Sequence, residues 1–263
     1  MLTTSHAIYL ALLQGFTEFL PISSSGHLIL IPSVLGWPDQ GQAFDVAVHL
    51  GSLMAVIIYF FPDMRVLCGA VPKLFAGRRT TDTQFLIYLI IGSIPVLVVG
   101  SLAAAWLSGS LRHPLIIAMT MFGFGLFLWY ADYRRGEKQL ADMDIKSALY
   151  IGLAQVLALI PGTSRSGITM SMAMLLGYSR KQAARFSFLL SIPVIGAASA
   201  YKLIQFVNQP PDHWPLFILA LVVSFLSALL AIRIFLNVIE RLGVVPFVIY
   251  RFILAIAIIA YYF

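Results

Sequence analysis

Two short polar segments stand inside apolar sequence and carry the residue types that do chemistry. The first is Gln14-Gly-Phe-Thr-Glu-Phe-Leu-Pro-Ile-Ser-Ser-Ser-Gly-His27; the second runs from Gln155 through Pro161, Gly162, Ser164, Arg165 and Ser166 to Gly167, with Thr169 just beyond. Gln14 and Glu18 are four apart and share one helix face. Ser24 and His27 are three apart, so a hydroxyl and an imidazole base can lie one turn from each other. Ser23, Ser24 and Ser164 sit where an N-cap belongs, and Arg165 and Thr169 share a face. Two helix N-termini would then offer free N–H groups and positive dipole ends to an anion. Arg165 adds a fork suited to phosphate oxygens. The chemistry this supports is phosphoryl transfer. Ser24 is the nucleophile with His27 or Glu18 as base, or Glu18 activates water directly or holds a metal ion. Arg165 steadies the charge, and Gln14, Ser23, Ser25, Ser164, Ser166 and Thr169 contact the substrate.

Simpler readings exist. A charge at mid-membrane costs about 2.5–3.5 kcal/mol on insertion scales, so Glu18 and Arg165 can also be a buried ion pair pinning two segments together. Each serine by itself reads as a cap or as helix packing. Neither reading gives His27 a role. Asp45 and His49, four apart, either line the entrance of a site, bind metal or decorate a solvated helix end. His6, His113 and His213 read as interfacial. The single cysteine, Cys68, excludes an intramolecular disulfide. No phosphate-binding Gly-x-x-x-x-Gly-Lys-Ser/Thr loop and no paired-cysteine metal motif occurs.

The two segments are copies. Sliding one onto the other without gaps pairs Gln14 with Gln155, Ser23 with Ser164, Ser25 with Ser166 and Gly26 with Gly167; upstream, Ala7 meets Ala148 and Tyr9 meets Tyr150. Glu18 and His27 belong only to the first copy, Arg165 only to the second. A composite site between two repeats follows.

The elements that position these residues are membrane helices. Hydrophobic residues make up 60% of the 263-residue chain and charged residues 11%, and mean hydropathy is +0.92; soluble domains carry about 25% charged residues. Apolar runs predict six spans, at about 42–61, 85–107, 114–131, 186–204, 215–235 and 246–262. Segments 6–34 and 147–177 are broken by Pro21, Gly26, Pro161, Gly162 and Gly167, and read as re-entrant hairpins of two half-helices each. The expected fold is all-α: one membrane domain, with repeat 1 over about 6–131 and repeat 2 over about 147–263.

The net charge of +6 is an orientation signal, not a nucleic-acid footprint. Arg65, Lys73, Arg78 and Arg79 of an expected 62–84 loop, with Arg134, Arg135, Lys138, Lys146, Arg180, Lys181, Arg185, Arg233 and Arg241, can all be cytoplasmic if the six spans alternate, leaving Arg112 and Lys202 on the other side. Both termini are then outside, and the two halves have opposite topology.

On these residues the chain resembles the undecaprenyl-diphosphate phosphatase family of the BacA/UppP type. The family pattern Glu/Gln-x-x-x-Glu followed by Pro-x-Ser-Ser-x-Gly-His is met by Gln14, Glu18, Pro21, Ser23, Ser24, Gly26 and His27. Pro-Gly-x-Ser-Arg-Ser-Gly-x-Thr is met by Pro161, Gly162, Ser164, Arg165, Ser166, Gly167 and Thr169. The stretches Phe186–Pro193 and Pro246–Phe252 also resemble family segments. The resemblance implies removal of the terminal phosphate from undecaprenyl diphosphate in the bacterial inner membrane, recycling the lipid carrier of peptidoglycan synthesis, with bacitracin resistance. It also implies a site open to the periplasm, a divalent cation (Mg²⁺ or Ca²⁺) with Glu18 among its ligands, a polyprenyl diphosphate substrate among membrane lipids, and a homodimer. A polyprenyl-phosphate transporter using the same phosphate cradle is the alternative, since broken helices in inverted repeats also build transporters.

Overall fold

Capping residues and prolines set the helix boundaries. Thr3 opens the first helix by accepting from the His6 N–H at 3.3 Å; Asp144 caps another by accepting from the Ser147 N–H at 2.7 Å; Pro114 takes a first-turn position, where its missing N–H costs nothing. The structure is a computed structural model, and it describes residues 2–107, 111, 113–206 and 214–262. Arg112 and His213 lie outside the described residues. In chain order the helices are α1 (Thr4–Glu18), α2 (Ser24–Leu35), α3 (Gly41–Tyr59), α4 (Phe61–Phe75), α5 (Thr81–Leu107), α6 (Pro114–Tyr133), α7 (Ile145–Val156), α8 (Arg165–Leu175), α9 (Arg180–Phe206), α10 (Trp214–Leu242) and α11 (Val245–Tyr262), with short 3₁₀ turns at Leu140–Asp142 and Leu157–Leu159. No strand occurs among the described residues.

Six of these helices, α3, α5, α6, α9, α10 and α11, are long and apolar enough to cross a membrane. They are the six spans expected from hydropathy, but several run further. α5 starts at Thr81, α9 at Arg180, and α10 continues to Leu242. Helical hydrogen bonding does not stop where apolar composition does, so polar residues extend these helices beyond the apolar run. The 62–84 stretch, expected to be a loop, contains α4. Fifteen residues are too short to span, and Pro62 in the first turn favours a new helix start. α4 buries Leu67 and Ala70 and leaves Phe61 and Phe75 exposed.

The two broken segments form helix–turn–helix units, α1–α2 and α7–α8, and their first helices pack reciprocally: α1 lies on α10 and α7 on α5. Both contacts need glycine. A Cβ on Gly152 would sit 2.5 Å from the Gly92 carbonyl of α5, and one on Gly15 would overlap Ser227 and the Ser224 backbone of α10. Close approach of small residues is how helices associate where lipid removes the hydrophobic drive. Between α3 and α10, the Ser224 hydroxyl donates to the Val48 carbonyl at 2.7 Å and lies 3.1 Å from the Ser52 hydroxyl. Under the turns, Phe19, Phe188, Phe235 and Phe247 pack edge-on or tilted, at centroid separations of 5.2, 5.6 and 5.3 Å.

One end of the bundle gathers paired charges. Arg180 grips Asp132 with two hydrogen bonds of 2.6 and 2.7 Å. Lys181 pairs with Glu240 at 3.1 Å, Lys73 with Asp82 at 3.4 Å, and Arg185 with Asp63.

Candidate active site

The two turns that follow α1 and α7 end in the same way. Ser23 and Ser164 are the only described non-glycine residues with positive φ, both 72°. Such backbone is sparsely populated and persists only where surroundings impose it. Each serine caps the helix that follows. Ser23 Oγ accepts from the Gly26 N–H at 3.3 Å, and Ser164 Oγ accepts from the Gly167 N–H at 3.1 Å. Each hydroxyl also meets the serine two residues on, Ser25 at 3.3 Å and Ser166 at 3.2 Å. The first N–H groups of α2 and α8, those of Ser24, Ser25, Arg165 and Ser166, lack intrahelical acceptors by helix geometry.

The turns meet at their tips, and Glu18 is the meeting point. Arg165 Nη2 donates to Glu18 Oε1 at 2.9 Å. Ser24 Oγ donates to Glu18 Oε2 at 2.6 Å, and Gln14 Nε2 donates to the same oxygen at 2.8 Å. The Glu18 side chain is 7% exposed and that of Arg165 13%. Arg165 also donates through Nη1 to the Ser187 carbonyl at 3.2 Å and lies 5.8 Å over the Phe19 ring, which leaves its position well fixed. His49 Nδ1 donates to the Asp45 carbonyl at 2.6 Å. That bond fixes the tautomer and turns Nε2 toward Glu18 Oε2, 3.7 Å away.

A cavity of about 370 Å³ opens beside this cluster. Glu18, Ser25, Arg165, Asp45, His49, Ser199 and Lys202 are its polar and charged lining, alongside apolar residues of α5 and α9 such as Val96 and Ile195. Glu18, Gln14, Ser24 and Arg165 are therefore together as expected, and Ser25 reaches the cavity. Other expected site residues are engaged elsewhere. Ser166 Oγ donates to the Leu20 carbonyl at 2.9 Å, with Ser164 Oγ at 3.5 Å from the same oxygen; these hydroxyls tie the second turn to the first. Thr169 meets the Ser187 hydroxyl of α9 at 2.7 Å. Ser23 is occupied as a cap.

The expected Ser24–His27 pair is not formed. His27 Nδ1 donates to the Ser23 carbonyl at 2.6 Å. Its Nε2 is hydrogen-bonded to the Tyr250 hydroxyl, on which the ring also stacks at 11° between planes. A spacing of three puts two residues on one face, but the ring turned back along α2 to the Ser23 carbonyl, which also accepts from the His27 N–H at 3.4 Å. Ser24 faces Glu18. Two participants escaped the sequence reading, Tyr250 and Arg251, although Arg251 carried a readable signal as a charge inside a predicted span.

By themselves these residues do not supply a full oxygen shell for the divalent cation implied by the resemblance. Among the described residues no group of three His, Cys, Asp or Glu side chains could hold a metal ion. Both Glu18 oxygens already accept from Arg165, Ser24 and Gln14, and a guanidinium at 2.9 Å repels a second cation. Of the cluster's oxygens, Gln14 Oε1 alone is buried without a donor, so a hard cation here would take most of its oxygens from water and substrate phosphates.

The sequence matches the family described as Bacitracin resistance protein BacA over residues 7–257. It is 48% identical over 266 residues to the undecaprenyl-diphosphatase of Alteromonas mediterranea, covering 100% of both chains. It is 49% identical over 259 residues to undecaprenyl-diphosphatase 1 of Pseudoalteromonas translucida (97% of each chain). To the undecaprenyl-diphosphatase of Chromohalobacter salexigens it is 47% identical over 259 residues (97% of this chain, 98% of that one). A match of this extent, spanning both copies of the polar segment, places this multi-pass helical protein in the BacA family.

Proposed function

We propose that this protein hydrolyses undecaprenyl diphosphate to undecaprenyl phosphate and inorganic phosphate. The names of its relatives supply the substrate, and one observation carries the chemistry. The Ser24 hydroxyl donates at 2.6 Å to a carboxylate whose other oxygen is held by Arg165 at 2.9 Å, at the wall of a cavity. Nucleophile, base and phosphate-binding fork are thereby adjacent.

In this reading the terminal phosphate lies against Arg165 and the first N–H groups of α2 and α8, which stabilise charge on its oxygens in the transition state. Ser24 Oγ forms a bond to the terminal phosphorus and gives its proton to Glu18 Oε2. The bond from phosphorus to the bridging oxygen breaks, and the leaving lipid phosphate takes the electron pair and then the proton from Glu18. Water next attacks the phosphoserine, Glu18 accepts its proton, and Ser24 regains one as inorganic phosphate departs. His49, its Nε2 near Glu18, relays protons to the cavity. His27 braces α2 against α11 and exchanges no proton with Ser24.

The topology proposed with this function is an inverted repeat with both termini outside, in the bacterial inner membrane. Its support is the reciprocal packing of α1 on α10 and α7 on α5 and the shared positive φ of 72° at Ser23 and Ser164. Asp45 near the start of α3 and Lys202 near the end of α9 line the cavity, at the end opposite the basic loops. The positive-inside rule then opens the cavity to the periplasm. Mass spectrometry of protein quenched during turnover tests the nucleophile. Phosphoserine at Ser24 is expected, and a folded Ser24→Ala variant with near-normal phosphate release would end the serine mechanism. Lipid transport without phosphate release by purified protein would instead favour the transporter reading.

A further inference from the structure

We infer that Arg251 is a positioning residue whose guanidinium clasps both turns of the site and fixes the distance between them. It is the largest fully buried side chain among the described residues, with 0% exposure. No carboxylate pairs with it among the described residues. Instead it donates to five backbone carbonyls. Nε reaches Met121 at 2.9 Å, Nη1 reaches Pro21 and Thr163 at 3.1 Å each, and Nη2 reaches Gly162 at 3.0 Å and Thr120 at 3.3 Å. Pro21 belongs to the first turn and Gly162 and Thr163 to the second. The Thr163 carbonyl is half of the peptide group that leads into Ser164, the residue held at positive φ.

The physical reason is the backbone. Where a helix breaks at membrane depth, its turn carbonyls lose intrahelical donors and have no water to replace them. A guanidinium carries five N–H donors in a planar fork, and here each goes to a carbonyl. Burying this charge without a counter-ion is expensive, and carbonyl dipoles from two turns and α6 are what offset it. One Nη atom bridges Pro21 to Thr163, so the separation of the turns is set by the width of one nitrogen. Those turns carry Ser24 and Arg165 toward Glu18. An ammonium offers three donors from one point and cannot span the same five oxygens.

This inference rests on the hydrolase reading for its kinetic arm only. Arg251→Lys and Arg251→Gln, purified in detergent and shown monodisperse, are compared with the parent protein in two ways. Hydrogen–deuterium exchange is expected to quicken in peptides covering both turns, 19–26 and 160–167, while the packed spans keep their protection. Phosphate release is expected to lose about 10²-fold in kcat, as for a misplacement on the order of 1 Å, with KM changed less than about threefold. Lysine does not rescue. Unchanged exchange in either turn, kcat within about twofold of the parent, or a loss matched by global unfolding of both variants would each overturn the positioning role. If the parent protein itself releases no phosphate, the hydrolase reading fails, and the exchange comparison still decides the clasp.

Discussion

Replacing Glu18 by glutamine separates a catalytic carboxylate from a merely structural ion pair. The substitution keeps shape and one acceptor oxygen but removes the charge that receives the proton of Ser24, 2.6 Å away, and that faces Arg165 at 2.9 Å. Removing one partner of a buried pair typically costs 3–5 kcal/mol. The cost here should fall at or below about 3 kcal/mol, because Arg165 keeps its bond to the Ser187 carbonyl and stands beside a cavity that admits water. Loss of a general base lowers turnover by about 10²–10⁴-fold; at 1.36 kcal/mol per tenfold, that is roughly 2.7–5.4 kcal/mol of transition-state stabilisation. The assay is phosphate release from the C55 diphosphate by detergent-purified protein, with thermal unfolding measured on the same sample. A double variant adds discrimination. If Ser24 and Glu18 act as one unit, Glu18→Gln with Ser24→Ala together lose no more than the worse single variant. A folded Glu18→Gln protein with turnover within about threefold of the parent, or fully additive losses in the double variant, would refute the reasoning.

Two other expectations follow from single contacts. Because both Glu18 oxygens are already engaged before substrate binds, titration of Mg²⁺ or Ca²⁺ into substrate-free protein should give no saturable one-to-one heat, and chelator should leave the unfolding temperature unchanged; a stoichiometric micromolar site would contradict the donor arrangement. At the exposed start of α7, hydrogen bonds from Ser147 hold the Asp144 carboxyl below the usual carboxylate range. A depressed folded value contributes stability above the unfolded pKa and loses it as pH falls through the folded one, so Asp144→Ala should remove part of the acid-side fall in stability, read as unfolding temperature against pH.

Much of this protein was legible in its residues because the relevant signals are local. Six apolar runs of spanning length became six long helices, and Pro, Gly and Ser placed both breaks. Glu18 and Arg165 were conspicuous because unpaired charges are costly in apolar surroundings, and they did pair across 147 positions of chain. The 62–84 stretch was misread because span length, not helical capacity, was the criterion, and α4 is too short to register on that scale.

What only tertiary structure decided is where each polar side chain points. Spacing placed Ser24 and His27 on one face, yet the imidazole bonded to the Ser23 carbonyl four residues back and to Tyr250, 223 residues away. Ser24 turned to Glu18, and His49, from a different helix, came to 3.7 Å of the same carboxylate. Arg251 reaches the Pro21 carbonyl across 230 positions. Apolar periodicity and helix breakers act through neighbouring residues, so sequence order records them. A hydrogen bond across the bundle depends on how helices pack and which carbonyls a broken helix leaves free, and those are settled only when the whole chain is folded.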